Sequence, residues 1–421
     1  MKRSILFLFL CLSVVISKAQ YRQFGDVSWT FSIPGQFFTT PAVFKNSVII
    51  GGMDGKLYSL DKNNGKKQWQ FQAGAGIGTH LLADDKQVYF GSYDGHYYAV
   101  DAGTGKQRWS FATKGEKHIG GKGYWTMQPL SQEMEDQYDL YLSSPATDGK
   151  LVFFGSSDSS IYAVDKTNGK LVWQHKTAGP VHAGLTYYNG QVFAGSWDRN
   201  IYALNSQTGK VNWSFASKVD TIYHGVLQGI QATPLVYNNT LYIGTRDANL
   251  YALDVSDGKL KWSYRESDAW IVGPAVQANN RIYVGTSDSY QMLCINAADG
   301  KEIFKHKSGG YVFGAPALSK DILCYGDFTG RLFLLNNITG KVLDQFDTKG
   351  RKANAASVLD SSGNISFMHI ANGQDPSFYS TAKYVMKELY KLESFTAAPV
   401  VADDKVFVAG GGSLYAIGLK K

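Results

Sequence analysis

Residues 155–173 read GSSDSSIYAVDKTNGKLVW, and the spacing of Gly, Asp and Trp within them decides the fold. Gly155 and Asp158 open a tight turn, and Ile161 to Asp165 read as a strand. Gly169-Lys170 closes a second turn, and Trp173 lies in the strand that follows. The same order recurs along the chain. One copy is Gly51, Asp54, Leu57 to Asp61, Gly65-Lys66 and Trp69; the next is Gly91, Asp94, Tyr97 to Asp101, Gly105-Lys106 and Trp109. Further copies open at Gly195 and Gly244 and end in Trp213 and Trp262. Gly285 opens a copy with one inserted residue and Phe304 in the Trp position. Gly326 opens another, in which Thr329 replaces Asp and Asp344 replaces Trp. The last copy, Gly410 to Ile417, lacks its Trp strand, while Trp29-Thr30-Phe31 stands near the N-terminus with no strands before it.

Self-similarity at a period of roughly 40 residues marks a repeat architecture. Joining the orphan Trp29 strand to the truncated last copy completes eight units and closes a ring. The expected fold is therefore all-β: an eight-bladed β-propeller of four-stranded antiparallel blades, the last blade closed by the N-terminal strand. Runs that are apolar on both faces, such as Leu151 to Phe154, suit sheets sandwiched between neighbours. Trp29, Trp69, Trp109, Trp173, Trp213 and Trp262 are expected to dock blade against blade, each indole N–H needing an acceptor. The recurring Asp residues resemble catalytic carboxylates when read singly. Repeated at blade spacing, they are turn residues that bind backbone N–H groups.

Composition agrees with one large folded unit. The 421 residues are 44% hydrophobic and 18% charged, which excludes a disordered chain. The 45 Gly, 26 Tyr and 23 Phe are eight sets of turns and docking strands. Lys2 and Arg3, the apolar run Ile5 to Ile16 and the small residues around Ala19 read as a signal peptide over 1–19, cleaved after Ala19. The mature 20–421 is then a single propeller domain in a periplasmic or extracellular setting, with no transmembrane segment. Cys11 follows Leu10 within the apolar run, where a lipoprotein signal wants a small residue. Losing Lys2, Arg3 and Lys18 with the leader lowers the formal charge from +7 to +4, so no nucleic-acid partner is expected. Cys294 and Cys324 lie in apolar strands of neighbouring repeats; buried free thiols are the simple reading, and a bridge is open if they come within reach.

The Tyr-Ala-Val-Asp-x-x-x-Gly-Lys-x-x-Trp pattern of 162–173 resembles the tryptophan-docking repeat of the propellers related to pyrroloquinoline-quinone (PQQ) enzymes. The resemblance spans 29–417. That superfamily contains quinoprotein alcohol dehydrogenases and the BamB outer-membrane assembly lipoproteins. The dehydrogenases imply PQQ and calcium over the central channel and an adjacent Cys-Cys pair beside the quinone. No such pair occurs here. A BamB-like role implies an envelope protein partner, although the lipobox of those lipoproteins is missing.

The opening glycines 51, 91, 155, 195, 244, 285, 326 and 410 leave three long intervals. The excess lies at about 112–142, 216–230 and 347–394, each after a Trp strand and before the next inner strand. All three insertions therefore crown the face that carries the Gly-Ser-x-Asp turns, and extra loops on one face of a repeat scaffold mark a binding face. The candidate ligand-binding residues are Lys117, His118, Tyr124 and Trp125 in the first insertion, His182 by the channel, Tyr223 and His224 in the second, and Arg351 in the third. Ala382, Val385, Met386, Leu389 and Leu392 share one face of a short helix over 380–392, expected to pack over the blades. His80, His182 and His224 lack the short-range spacing of metal ligands and read as hydrogen bonders along the channel. No nucleophile or zinc motif occurs.

The expected function is a non-catalytic, monomeric, exported platform binding an envelope protein or extended ligand on the crown, with no cofactor, no metal and no catalytic residue. The alternatives are a PQQ- and calcium-dependent alcohol or sugar dehydrogenase, and a carbohydrate-binding module.

Overall fold

The computed structural model describes residues 23–219 and 228–421. The expected leader, Tyr223 and His224 lie outside the described residues. Eight four-stranded antiparallel sheets are described, one for each copy of the repeat. In blade 3 the strands are Ala146–Thr147, Leu151–Ser156, Ser160–Asp165 and Leu171–Lys176. Ring closure falls where the truncated copy placed it: Gln23–Ser32 pairs antiparallel with Ser413–Lys420, Trp29 opposite Ala416. The terminal strand thus becomes the outer strand of blade 8, completing its sheet.

The middle strands of each blade are buried on both faces, whereas on the outer strand Leu171–Lys176 only Trp173 is fully buried. That one residue makes the seam. The Trp173 indole N–H donates to the carbonyl of Ser206 in blade 4 at 2.8 Å. Its ring lies under Gly209, whose φ is +67° and whose missing Cβ would sit 2.6 Å from the indole. Only glycine combines that conformation with that approach. The contact repeats as Gly65 on Trp29, Gly105 on Trp69, Gly169 on Trp109, Gly258 on Trp213 and Gly300 on Trp262. Phe304 takes the same place beneath Gly340. Blade 7 has no ring to offer; its Asp344 carboxylate instead accepts from the Phe24 N–H at 2.8 Å, tying the closing strand.

The turn aspartates also act across seams. Asp198 accepts from Asn200 N–H in its own turn (2.9 Å) with one oxygen. The other takes Ala178 N–H of the preceding blade's exit (2.9 Å) and Tyr202 hydroxyl (2.8 Å). Asp94, Asp158 and Asp247 clasp Gly74, Lys114 and Lys218 in the same way. In blade 7 the structure revises the reading of Thr329 as the replacement. Asp327, two positions earlier, supplies the carboxylate, accepting from Thr329 N–H and Gly309 N–H at 3.0 Å each.

Two insertions build the crown. The first forms a hairpin, Gly120–Lys122 with Glu133–Glu135, and then turns inward. The third forms α1 (Lys349–Val358), α2 (Phe367–Ala371) and α3 (Tyr379–Tyr390). Ala382, Val385, Met386 and Leu389 are the buried face of α3, as their spacing required. The two insertions meet where Gln128 N–H donates to Ser377 C=O (2.7 Å) and accepts at its own carbonyl from Tyr379 N–H (3.1 Å). Their shared core joins Leu140, Met386 and Leu389 to Trp270, Phe313 and Phe328 of the ring. Cys294 and Cys324 are free thiols, buried in different cores.

Candidate functional site: the plugged channel mouth and its cleft

The third position of each Gly-Ser-x-Asp turn faces the crown. It is Met53, Tyr93, Ser157, Trp197, Arg246, Ser287 and Phe328 in blades 1 to 7. The residues around it hardly change from blade to blade, because they make the turn. The third position takes six residue types over the seven blades, because its surroundings differ from blade to blade. That variation was visible in the sequence and marks the mouth-lining set that motif reasoning missed.

Several of them meet the first insertion, whose segment 136–142 fills the channel mouth: Arg246 meets Asp136, Tyr93 stacks on His118, and Ser157 accepts from Lys117 N–H. Tyr138 stacks flat on Trp125 (centroids 5.2 Å, 7° between planes) and meets Trp270, Tyr311 and Phe313 edge-on. Tyr141 reaches across to donate to the Thr396 carbonyl and packs on His80. The channel therefore lies beneath an aromatic stopper at this end.

Two buried ion pairs fasten the stopper. Arg246, wholly buried, lies between the rings of Trp197 (4.4 Å) and Trp270 (4.3 Å). Its guanidinium approaches Asp136 at 2.6 Å and its Nε donates to Gln231 at 2.8 Å. Burial raises the Asp136 pKa and outweighs the lowering by Arg246. The second pair is Asp139 with His182 Nδ1, at 2.8 Å. Burial opposes both charges, but each offsets it in the other. Asp139 is held below the usual carboxylate range by His182, Ile119 N–H and His118; His182 is held above its ordinary value by Asp139, Glu116 and Asp136.

His182 Nε2 also lies 2.8 Å from Ser157 Oγ, so Asp139, His182 and Ser157 have the connectivity of a hydrolase triad. The surroundings of the hydroxyl forbid that chemistry. Ser157 is buried, and its Oγ accepts from Lys117 N–H (3.0 Å) and lies 2.8 Å from a Glu116 carboxylate oxygen. No face is left for a substrate carbonyl. The chain Asp139–His182–Ser157–Glu116 is a clasp between the first insertion and blades 3 and 4.

The candidate residues separate accordingly. His182 is buried in the clasp, and Trp125 covers Tyr138. Arg351 is buried on α1, donating to the Thr329 carbonyl at 2.9 Å and facing Asp347 at 3.3 Å. Lys117, His118 and Tyr124 do come together. With Trp197, Arg199 and Pro180 they line an open cleft of about 440 Å³ between the first insertion and the blade 4 turn. His118 stacks on Tyr93 at 4.7 Å at its base. His80 is elsewhere, its Nδ1 3.1 Å from Thr40 N and its pKa pushed down to about 4 by burial. Among the described residues no group of three or more His, Cys, Asp or Glu is arranged to hold a metal.

A family model described as outer membrane protein assembly factor BamB matches residues 18–119, 117–269 and 266–420. The chain belongs to this family. No curated protein sequence matches it. Among solved structures, BamB from Moraxella catarrhalis is similar at 16% identity, covering 94% of this chain and 99% of that one, with a TM-score of 0.66. The quinohemoprotein alcohol dehydrogenase from Comamonas testosteroni is 13% identical, covering 93% and 76%, with a TM-score of 0.64. The computationally designed protein Ika8 is 16% identical, covering 96% and 100%, with a TM-score of 0.65. These likenesses share the propeller. The mouth residues of this chain do not fit a quinone: Tyr138 and its aromatic neighbours fill the place over the channel, and the two described cysteines are apart in buried strands.

Proposed function

We propose that the protein is a non-catalytic, exported propeller that serves as a binding platform in the cell envelope and takes a protein partner on its crown, in the manner its family's description implies. The observation that carries this reading is the stopper. A ring whose channel mouth is closed by its own side chains has surface to offer there and no chamber for a cofactor. The triad-like set Asp139–His182–Ser157 is sealed, which also favours binding over turnover. Among the described residues no helix is long and apolar enough to cross a membrane. Leu130 and Phe378, 57% and 42% exposed on the joined insertions, and the cleft beside Trp197 give the crown apolar and aromatic anchors of the kind that dominate interfaces.

Site-specific photocrosslinking in intact cells tests the reading. A benzophenone side chain at exposed Lys122 on the crown is expected to capture an envelope protein, and one at exposed Lys170 on the opposite face is not. Capture from position 170 alone refutes the crown. Incubation with PQQ and calcium is expected to give no quinone spectrum and no dye reduction with alcohols or sugars; turnover would refute the non-catalytic reading.

A further inference from the structure

The cleft beside the stopper carries charge that the fold does not use. Lys117 is exposed and Arg199 lines the same cavity, and neither side chain has an ion pair among the described residues. Among the described residues lining the cleft the one carboxylate, Asp198, has both oxygens committed to Ala178, Asn200 and Tyr202 in the blade seam. Tyr124 and Trp197 form aromatic walls, and the far face of Trp197 is stacked on the Arg246 guanidinium, which fixes the ring and adds positive charge behind it.

Arg199 occupies the left-handed position of its turn, with φ of +72°. Blades 1, 2 and 7 place Gly55, Gly95 and Gly330 there, and blades 3, 5 and 6 place Ser159, Ala248 and Tyr290, so the turn takes this conformation with or without a Cβ and leaves the side chain free to vary. In blade 4 that side chain is a cation on the wall of the cleft.

We infer that this cleft is the docking point for the partner, and that it accepts a carboxylate flanked by an aromatic residue. The inference rests on the crown reading above. The carboxylate belongs to an acidic side chain or to a chain terminus, whose shared chemistry is an anion of two oxygens between Lys117 and Arg199. The flat neighbour stacks on Trp197 or Tyr124.

Three synthetic peptides distinguish the sources: acetyl-Gly-Phe-Asp-Phe-Gly-amide, acetyl-Gly-Phe-Gly-Phe with a free carboxylate, and acetyl-Gly-Phe-Asn-Phe-Gly-amide. Each is titrated into the whole protein while the Trp197 indole resonance, assigned with Trp197→Phe, is followed by NMR. One or both carboxylate peptides are expected to shift it, with an affinity that falls as salt rises, and the Asn peptide is not. Arg199→Gly installs the residue that three other blades carry, so the fold is retained; it is expected to weaken binding about fivefold or more. Lys117→Gln at an exposed site is expected to do the same. Equal binding of the Asp and Asn peptides, an unchanged affinity in both variants, or no shift with any peptide overturns the inference. Crosslinking from position 122, outside the cleft lining, separates the two levels. If Arg199→Gly captures the partner as the unsubstituted chain does, the cleft is refuted and the crown reading stands; if neither captures anything, the crown reading falls as well.

Discussion

Replacing Asp139 by Asn tests the fastening of the stopper, and the test lies in how the cost changes with pH. The substitution keeps the shape and one acceptor oxygen, so Ile119 N–H, now 2.8 Å from the carboxylate, keeps a partner. What it removes is the charge opposite His182. In the unsubstituted chain the folded pKa of His182 lies above its ordinary 6.5, so the native state holds more protons than the unfolded one between those values. The stability His182 contributes is therefore complete below about 6.5 and lost as pH rises through its folded value. Without Asp139 the largest remaining influence is burial, which lowers the pKa. Glu116, Asp136 and the imidazole of His118, 3.9 Å from Asp139, stay nearby, but none of them is bonded to Nδ1. The folded pKa then falls below the unfolded one. The sign reverses, and the contribution now weakens as pH falls below about 6.5.

Near pH 7.5 the variant's imidazole is neutral in both states, and the loss is that of charge-assisted hydrogen bonds, about 1–3 kcal/mol. Below pH 6.5 the gap between the two proteins widens by up to about 1.4 kcal/mol per pH unit. By pH 5.5 it approaches the roughly 3–5 kcal/mol typical of breaking a buried pair. His80, held down at about 4, destabilises both proteins equally in acid and cancels in the difference. Urea unfolding followed by tryptophan fluorescence at pH 5.5 and 7.5 gives the global numbers, and hydrogen exchange at Ile119 N–H reports the clasp locally. A difference in stability that is the same at both pH values would refute the assignment of His182 as a cation held by Asp139.

Other consequences are as direct. Gly190 and Gly209 have φ of +76° and +67°, but a Cβ at Gly190 meets nothing within 4 Å while one at Gly209 meets Trp173 at 2.6 Å. Gly190→Ala is expected to cost about 1–2 kcal/mol and Gly209→Ala a further 1–3 kcal/mol, ordered by their urea midpoints; equal costs would remove the ring as the reason for glycine. Tyr138→Ala deletes the centre of the stopper and is expected to cost roughly 2–4 kcal/mol and to make the mouth bind an apolar fluorescent dye that the unsubstituted chain excludes. Cys294, its thiol pushed up to about 11 by burial, and the more deeply buried Cys324 are expected to be silent to a thiol reagent in the folded protein and both reactive in urea. Protection of either thiol after unfolding would indicate a bridge.

The sequence by itself determined the ring. A period, two turn signals and one docking Trp are local or nearest-neighbour facts, and each blade touches only its neighbours, so the copies could be counted and closed without coordinates. Even the α3 face was legible, because Ala382, Val385, Met386 and Leu389 follow helical spacing. The position of the first and third insertions on one face followed from where they interrupt the repeat. Tertiary structure alone decided what the insertions do. Asp139 and His182 are 43 residues apart, and Tyr141 and Thr396 are 255 apart; no period relates them. Three of the candidate ligand-binding residues, Trp125 and Arg351 in the insertions and His182 by the channel, are instead occupied within the crown, because an insertion that closes a channel needs its own core and its own fastening. Lys117, His118 and Tyr124 reach the open cleft because the hairpin of the first insertion carries them past the stopper to the turn of blade 4. There they meet Arg199, whose left-handed turn position gives its cationic side chain a place at the cleft.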